Sequence, residues 1–159
     1  MKLEQLLERL EYTCVQGSLD REISGIANDS RQVVPGTLFF SIRGAVTDGH
    51  TYAAEVAEKG AVALLVEEPV EVPESVTVIQ VKDTRYAMAL VSAAWYDYPA
   101  EKLKVIGITG TKGKTTTTYM IKSILESAGH KVGLIGTIET IIGETHIPSS
   151  NTTPESVKI

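Results

Sequence analysis

Residues 105–118 read V-I-G-I-T-G-T-K-G-K-T-T-T-T, an apolar run that breaks into a glycine-rich loop and ends on a Lys-Thr pair. Phosphate chemistry uses these parts in this order. The run Lys104–Thr109 predicts a buried parallel strand, and Gly110 and Gly113 let the backbone turn tightly so that successive N–H groups converge on an anion. Lys114 is placed to bridge the β- and γ-phosphates of a nucleotide. Thr115 opens a helix whose N-terminal dipole favours the same charge, and its hydroxyl is the expected magnesium ligand. Counted back from Gly113-Lys114-Thr115, the first glycine of the general phosphate-loop pattern would fall at Ile108, whereas the glycines stand at Gly107 and Gly110. The bland alternative is a glycine-rich turn closing a strand. The strand before, the four threonines and the helix beyond favour the phosphate loop.

Working outward, the 159 residues give room for one ordinary domain or two small ones. Apolar content of 43% and charged content of 22% describe a globular chain. The net charge is −5 and no basic stripe occurs, so nucleic acid is not an expected partner and a polyphosphate must be held by local groups. Residues 1–10, M-K-L-E-Q-L-L-E-R-L, predict an amphipathic helix with Leu3, Leu6, Leu7 and Leu10 on one face, and its acidic residues do not fit a signal peptide. No apolar run approaches the length of a membrane span, so no membrane association is expected. The single cysteine, Cys14, cannot form an intramolecular disulfide, which suggests the reducing cytoplasm.

Two α/β blocks are expected, residues 1–98 and 103–159, joined near Tyr98-Pro99. In the first, strand-like runs at Glu22–Ala27, Thr37–Arg43, Ala61–Val66 and Val76–Val81 alternate with helical patterns at Tyr52–Lys59 and after Asp83, whose inward stripe is Met88, Val91 and Trp95. The segment Glu67–Ser75, with two prolines, reads as a loop. The second block runs from the strand Lys104–Thr109 through the phosphate loop and a helix to Ala128, with Met120, Ile121, Ile124 and Leu125 facing a sheet. A strand at Lys131–Gly136 completes the expected βαβ unit, a hairpin follows around Gly143-Glu144, and Pro154 marks the first position of another helix. A nucleotide-binding sheet with one parallel crossover is unfinished, and the chain ends about one turn into that last helix. The expected fold class is therefore α/β, a small first domain followed by the start of a phosphate-loop domain with a mostly parallel sheet, truncated before any further domain.

The other unusual stretch is residues 28–52, N-D-S-R-Q-V-V-P-G-T-L-F-F-S-I-R-G-A-V-T-D-G-H-T-Y. Asp29, Ser30 and Arg31 sit where a strand ends, so their polar groups can meet an anionic ligand, or they can simply cap a turn. Six ordered motifs carry a resemblance: D-S-R-x-V-x-P-G-x-L-F at 29–39, D-G-H at 48–50, R-Y-A-M-A at 85–89, I-T-G-T-K-G-K-T-T-T at 108–117, G-L-I-G-T-I at 133–138 and N-T-T-P-E at 151–155. By these the chain resembles the N-terminal part of a Mur ligase over essentially all its length. The displaced glycine of the phosphate loop is the form that family uses.

The resemblance implies a first domain that binds a UDP-linked substrate. Asn28 and Ser30 would contact the uridine diphosphate and Ala45, Val46 and Thr47 would close over it. Gly110, Thr111, Lys112, Gly113, Lys114, Thr115 and Thr116 would hold ATP with Mg2+, the metal on Thr115. Lys114 and Thr115 would be the catalytic residues, and Asn151, Thr152 and Thr153 would position the muramoyl-dipeptide. The implied reaction is ATP-dependent ligation of a diamino acid, meso-diaminopimelate or L-lysine, to UDP-N-acetylmuramoyl-L-alanyl-D-glutamate through an acyl phosphate, in peptidoglycan synthesis. The full-length form is expected to be a monomer and this segment alone inactive. Lys112 stands where the family usually has asparagine. Alternatives are a non-catalytic UDP-sugar or ATP-binding module, the family member that adds D-alanyl-D-alanine, and a kinase or nucleotide hydrolase. The last is disfavoured because no downstream acidic strand end follows.

Overall fold

Five short strands between Thr13 and Gln80 make one sheet, and its order explains where the first block gathers its polar ends. The computed structural model describes residues 1–44, 47–149 and 154–158. The chain divides into two compact units, Met1–Lys102 and Leu103–Ile159.

In the first unit the elements run α1 (Leu3–Leu6), β1 (Thr13–Gln16), β2 (Gly25–Ala27), β3 (Thr37–Phe40), α2 (Ala53–Glu58), β4 (Ala63–Val66), β5 (Thr77–Gln80) and α3 (Thr84–Trp95). The sheet order is β1-β5-β4-β3-β2, with β2 to β5 parallel and β1 antiparallel on the edge of β5. Every residue of β3 and β4 is buried. Continuous apolar runs such as L-F-F and A-L-L-V are what a parallel strand covered on both faces requires, and each fully buried Leu or Phe contributes about 1.5–3 kcal/mol. The crossover from β4 to β5 contains no helix. Val70 and Val72 in that loop pack on the core around Phe39, Val56 and Leu64 instead.

Helix α3 starts where the sequence reading put it, with the Asp83 carboxylate accepting the Tyr86 N–H at 2.9 Å. Met88 and Val91 are buried, whereas Trp95 is half-buried. The helix expected over residues 1–10 shortens to α1. Lys2 pairs with Glu22, and the Met1 amine donates to the Ile23 carbonyl, so the first residues bridge to the strand side before one helical turn forms. Leu3, Leu6 and Leu7 are nonetheless buried. The edge strand β1, T-C-V-Q, has no apolar alternation and escaped the sequence reading. It is held by the ladder to β5 and by the Gln16 amide donating to the carbonyls of Pro73 and Val76.

The second unit holds α4 (Lys114–Ser127), β6 (Gly133–Ile135), β7 (Glu139–Ile142) and β8 (Thr145–Pro148). The strand expected at Lys104–Thr109 is absent. Its run is apolar enough, but among the described residues no strand pairs with it, and Val105 is 74% exposed. A parallel strand needs ladder partners and cover, and neither is supplied. The expected crossover to Lys131–Gly136 is likewise missing, because β6 pairs antiparallel with β7, which pairs antiparallel with β8 around Gly143-Glu144. The stripe on α4 is only partly covered: Ile121 and Leu125 are half-buried, while Met120 and Ile124 are exposed. After Pro154 a single 3-10 turn, Ser156–Lys158, stands where a helix was expected. Among the described residues no helix is long and apolar enough to cross a membrane.

Candidate functional site

In the first unit the polar constellation lies at the C-terminal ends of adjacent parallel strands. Ala27 of β2 stands opposite Phe39 of β3, so the turn leaving β2 and the loop leaving β3 open on the same sheet edge. Parallel sheets bind ligands at that edge. Asp29 caps the 3-10 turn Ser30–Gln32, its Oδ1 accepting the Arg31 N–H at 3.0 Å. Its two oxygens also take the Arg31 guanidinium in a fork, Nε to Oδ1 at 2.9 Å and Nη2 to Oδ2 at 2.7 Å. Asp29 and Arg31 thus neutralise one another. Among the described residues the side chains of Asn28 and Ser30 have no hydrogen-bond partner, and both are half-buried. The Ser30 carbonyl accepts the Lys59 ammonium at 3.0 Å, which fixes the turn and leaves the hydroxyl available.

The loop after β3 closes on itself, Gly44 N–H to Thr47 carbonyl at 2.9 Å. Thr47 is exposed; Ala45 and Val46 lie outside the described residues. Asp48 then opens a 3-10 turn, Gly49–Tyr52, by accepting the His50 N–H at 3.0 Å. Its carboxyl is held down to about 2, chiefly by that N–H, then by the His50 ring and by Arg43. His50 Nδ1 lies 2.6 Å from Asp48 Oδ1 and Nε2 accepts the Glu67 N–H at 2.9 Å, so the neutral ring carries its proton on Nδ1. Glu67 in turn caps α3, its Oε1 accepting both the N–H and the hydroxyl of Thr84 at 2.8 Å.

In the second unit the loop before α4 turns on two glycines of positive φ, Gly110 and Gly113. Gly113 stands at the helix N-cap in the left-handed region, φ 79°, with no side-chain cap, and a Cβ there would meet nothing within 4 Å. The first helical bond is Thr117 N–H to Gly113 carbonyl at 2.9 Å, so the amides of Lys114, Thr115 and Thr116 have no helical acceptor. The Lys114 ammonium spans the loop to the Gly110 carbonyl at 2.5 Å. Thr111, Lys112 and Thr116 are exposed, and Thr115 is half-buried. Thr117 and Thr118 turn their hydroxyls back onto the helix, to the carbonyls of Gly113 and Thr115. Open amides, one ammonium and the Thr115 hydroxyl form a donor set that fits a polyphosphate with a divalent cation. Among the described residues no group of three or more His, Cys, Asp or Glu gathers to hold a metal. Asn151, Thr152 and Thr153 lie outside the described residues.

Residues 22–96 match the Mur ligase family catalytic domain, and residues 108–159 match the Mur ligase middle domain. The chain belongs to the Mur ligase family. A UDP-N-acetylmuramoyl-L-alanyl-D-glutamate–2,6-diaminopimelate ligase of Clostridium acetobutylicum is 49% identical over the whole chain, which covers 33% of that protein. A solved ligase of the same name superposes with a TM-score of 0.74, at 23% identity, covering 99% of this chain and 31% of that one, and shares its fold. MurF of Acinetobacter baumannii is 34% identical, with a TM-score of 0.60, covering 79% of this chain and 27% of that one. The chain spans about a third of the length of the curated relatives it matches.

Within this Mur ligase chain the residues whose roles the sequence reading missed are Asp48, His50 and Glu67. The D-G-H motif was legible as a signature but not as a clamp. The available signal was the Asp-x-His spacing, which lets a carboxylate cap the turn and hold the ring at once. The partner, Glu67, is remote in sequence and nothing local announces it.

Proposed function

We propose that this chain supplies the UDP-substrate-binding and nucleotide-binding parts of an ATP-dependent ligase of peptidoglycan synthesis. Its substrates are UDP-N-acetylmuramoyl-L-alanyl-D-glutamate and 2,6-diaminopimelate, the pair named for the relatives that match the whole chain. What supports the reading is the loop before α4, where the amides of Lys114, Thr115 and Thr116 have no helical acceptor and the Lys114 ammonium reaches the Gly110 carbonyl. Asn28, Ser30, Ala45, Val46 and Thr47 bind the UDP moiety, and residues 110–116 bind the triphosphate. Asn151, Thr152 and Thr153 orient the muramoyl-dipeptide. The D-glutamate side-chain carboxylate attacks the γ-phosphorus, the bond to ADP breaks, and the amine of the diamino acid displaces phosphate from the acyl phosphate. Lys114 and the amides neutralise charge gathering on the transferred group. Thr115 would hold Mg2+, which would supply further charge neutralisation when bound. The enzyme works in the cytoplasm, as a monomer, with neither nucleic acid nor membrane as a partner.

A second reading, addition of D-alanyl-D-alanine, draws on the 34% identity to MurF. Assaying the full-length enzyme with each amino donor separates the two. The deciding variant is Lys114→Ala, which is expected to abolish ligation and leave affinity for the UDP-substrate unchanged in calorimetric titration. An equal loss of UDP-substrate affinity overturns the assignment of two separate sites.

A further inference from the structure

Lys59 has a place in the first unit that neither the phosphate loop nor the linkage of Asp48, His50 and Glu67 uses. It caps the C-terminus of α2 and is followed by Gly60 at φ 99°, where a Cβ would lie 2.9 Å from Pro35 Cα. The Gly60 N–H donates to the Ala57 carbonyl at 3.0 Å, and the Gly60 carbonyl accepts the Gly36 N–H at 2.9 Å. The stem of Lys59 therefore rises from a fixed point. Its ammonium donates to Glu55 Oε1 at 2.6 Å, one turn back on α2, and to the Ser30 carbonyl at 3.0 Å, 29 residues back in the chain. The segment between β2 and β3 is thus held to the end of α2 at two points, Gly36 through the backbone and Ser30 through Lys59. The bonds inside the turn are local: Asp29 takes the Arg31 N–H and guanidinium, and the Gln32 N–H donates to the Asp29 carbonyl at 2.9 Å. They shape the turn without fixing where it stands against α2. An ammonium on a carbonyl is a charge-assisted bond, stronger than a neutral one, and Glu55 holds the ammonium where it can be made.

We propose that Lys59 is a positioning residue for the UDP-substrate: by holding the Ser30 carbonyl, it sets where the Ser30 hydroxyl and the Asn28 amide meet the ligand. Both of those side chains are half-buried and without a hydrogen-bond partner among the described residues. This inference rests on the function proposed above. The donors of the phosphate loop belong to the other unit, so loss of Lys59 should weaken UDP-substrate binding and leave nucleotide binding unaffected. The Lys59 side chain is 39% exposed, and its removal strands no buried charge.

Lys59→Met, which keeps an apolar stem and removes every donor, and Lys59→Arg, which keeps the cation, test it in the full-length enzyme. The readouts are calorimetric affinity for UDP-substrate and for ADP, steady-state kinetics, melting temperature, and hydrogen exchange at residues 29–33 and 37–40. Lys59→Met is expected to weaken UDP-substrate binding and raise its KM about 5-fold, with kcat at saturation and ADP affinity within about twofold of the parent. Exchange should quicken at 29–33 and stay as in the parent at 37–40, and Lys59→Arg should restore most of the affinity. Affinity and exchange equal to the parent overturn the proposal. A fall in affinity without faster exchange also overturns it, because the ammonium would then touch the ligand itself. Faster exchange with unaltered affinity does the same, leaving Lys59 a structural strap, as does a collapse of the melting temperature or a failure to fold, which would make it a support of the whole unit. A parent enzyme that does not bind UDP-substrate overturns the proposed function instead, and the exchange measurement still judges the strap.

Discussion

The Glu67 backbone N–H donates to His50 Nε2 at 2.9 Å, so the loop leaving β3 is fastened to the end of β4 by one imidazole. The ring is itself held by Asp48, and Glu67 passes the constraint on to Thr84 at the start of α3. Three consecutive chain reversals at the C-terminal edge of the parallel strands are thereby linked through side chains.

His50→Ala should break this link at its centre. It leaves the Glu67 N–H without an acceptor in a half-buried setting, which costs about 1–3 kcal/mol. Urea denaturation of the first unit is expected to shift by that amount, and affinity for the proposed UDP-substrate should fall with it as the turn at residues 48–50 loosens. An unchanged midpoint would show that water replaces the ring without loss.

Asp48 gives the first unit an acid limit. Its carboxyl is lowered from 3.8 to about 2 in the folded state, so its stabilisation is complete above about pH 4 and disappears as pH falls through 2. The side chain is about a third exposed, and solvent screening reduces the contribution to about 1–2 kcal/mol. Asp48→Asn should therefore be less stable than the parent at pH 7 and indistinguishable from it near pH 2, in urea titrations at both values. A constant difference across that range would remove the ionised carboxylate as the cause.

Two glycines should fail in different ways. A Cβ on Gly49 would lie 2.6 Å from the Ile42 nitrogen and 2.9 Å from its oxygen, and neither backbone atom can yield. Gly49→Ala is expected to destabilise the first unit by about 1–3 kcal/mol, the usual cost of overpacking. A Cβ on Gly113 would meet open space, so Gly113→Ala costs only the strain of φ 79°, about 1–2 kcal/mol, but obstructs the proposed phosphate loop. Thermal melts and nucleotide titration together check the contrast, with Gly49→Ala losing stability and Gly113→Ala losing nucleotide affinity.

Where the sequence was readable, a local signal coincided with the tertiary outcome. L-F-F and A-L-L-V can satisfy themselves only as covered strands, Asp83 announces α3, and Gly113-Lys114-Thr115 announces the start of α4. The run Val105–Thr109 misled because its apolar character states a need for cover without supplying the neighbouring strands. Strand β1 was hidden for the opposite reason: T-C-V-Q has little apolar pattern, and its place is decided by β5 and by the Gln16 amide, far away in the chain. In the candidate site the donors of the phosphate loop are contiguous and therefore visible. The clamp of Asp48, His50 and Glu67 joins the segments that follow two different strands, β3 and β4, and becomes visible only in the fold.

Ser30→Ala separates ligand binding from turn capping at the end of β2. Asp29 already caps the turn, and the Ser30 hydroxyl has no partner among the described residues, so its removal should leave the melting temperature nearly unchanged. If the hydroxyl bonds a charged phosphate oxygen, UDP-substrate affinity falls by about 1.5–3 kcal/mol. A lowered melting temperature with unaltered affinity would make Ser30 part of the turn instead.

The two units of this chain should differ in how firmly they are closed. Among the described residues the buried apolar side chains belong almost wholly to the first unit, with only Leu134 and Ile141 from the second. Val105, Ile106, Met120 and Ile124 are exposed there, and the three-stranded antiparallel sheet leaves β6 and β8 as edges. Local stability follows buried apolar contact, and uncovered faces and edges favour self-association. Hydrogen exchange by mass spectrometry on the 159-residue chain should find β3 and β4 slowest and the β6–β8 sheet and the second half of α4 exchanging much faster. Exchange in the second unit should slow as protein concentration rises, if its apolar face is covered by another copy. Equal protection in both units at low concentration would mean that the second unit is stable with its apolar face in water, and that burial is a poor guide to its stability.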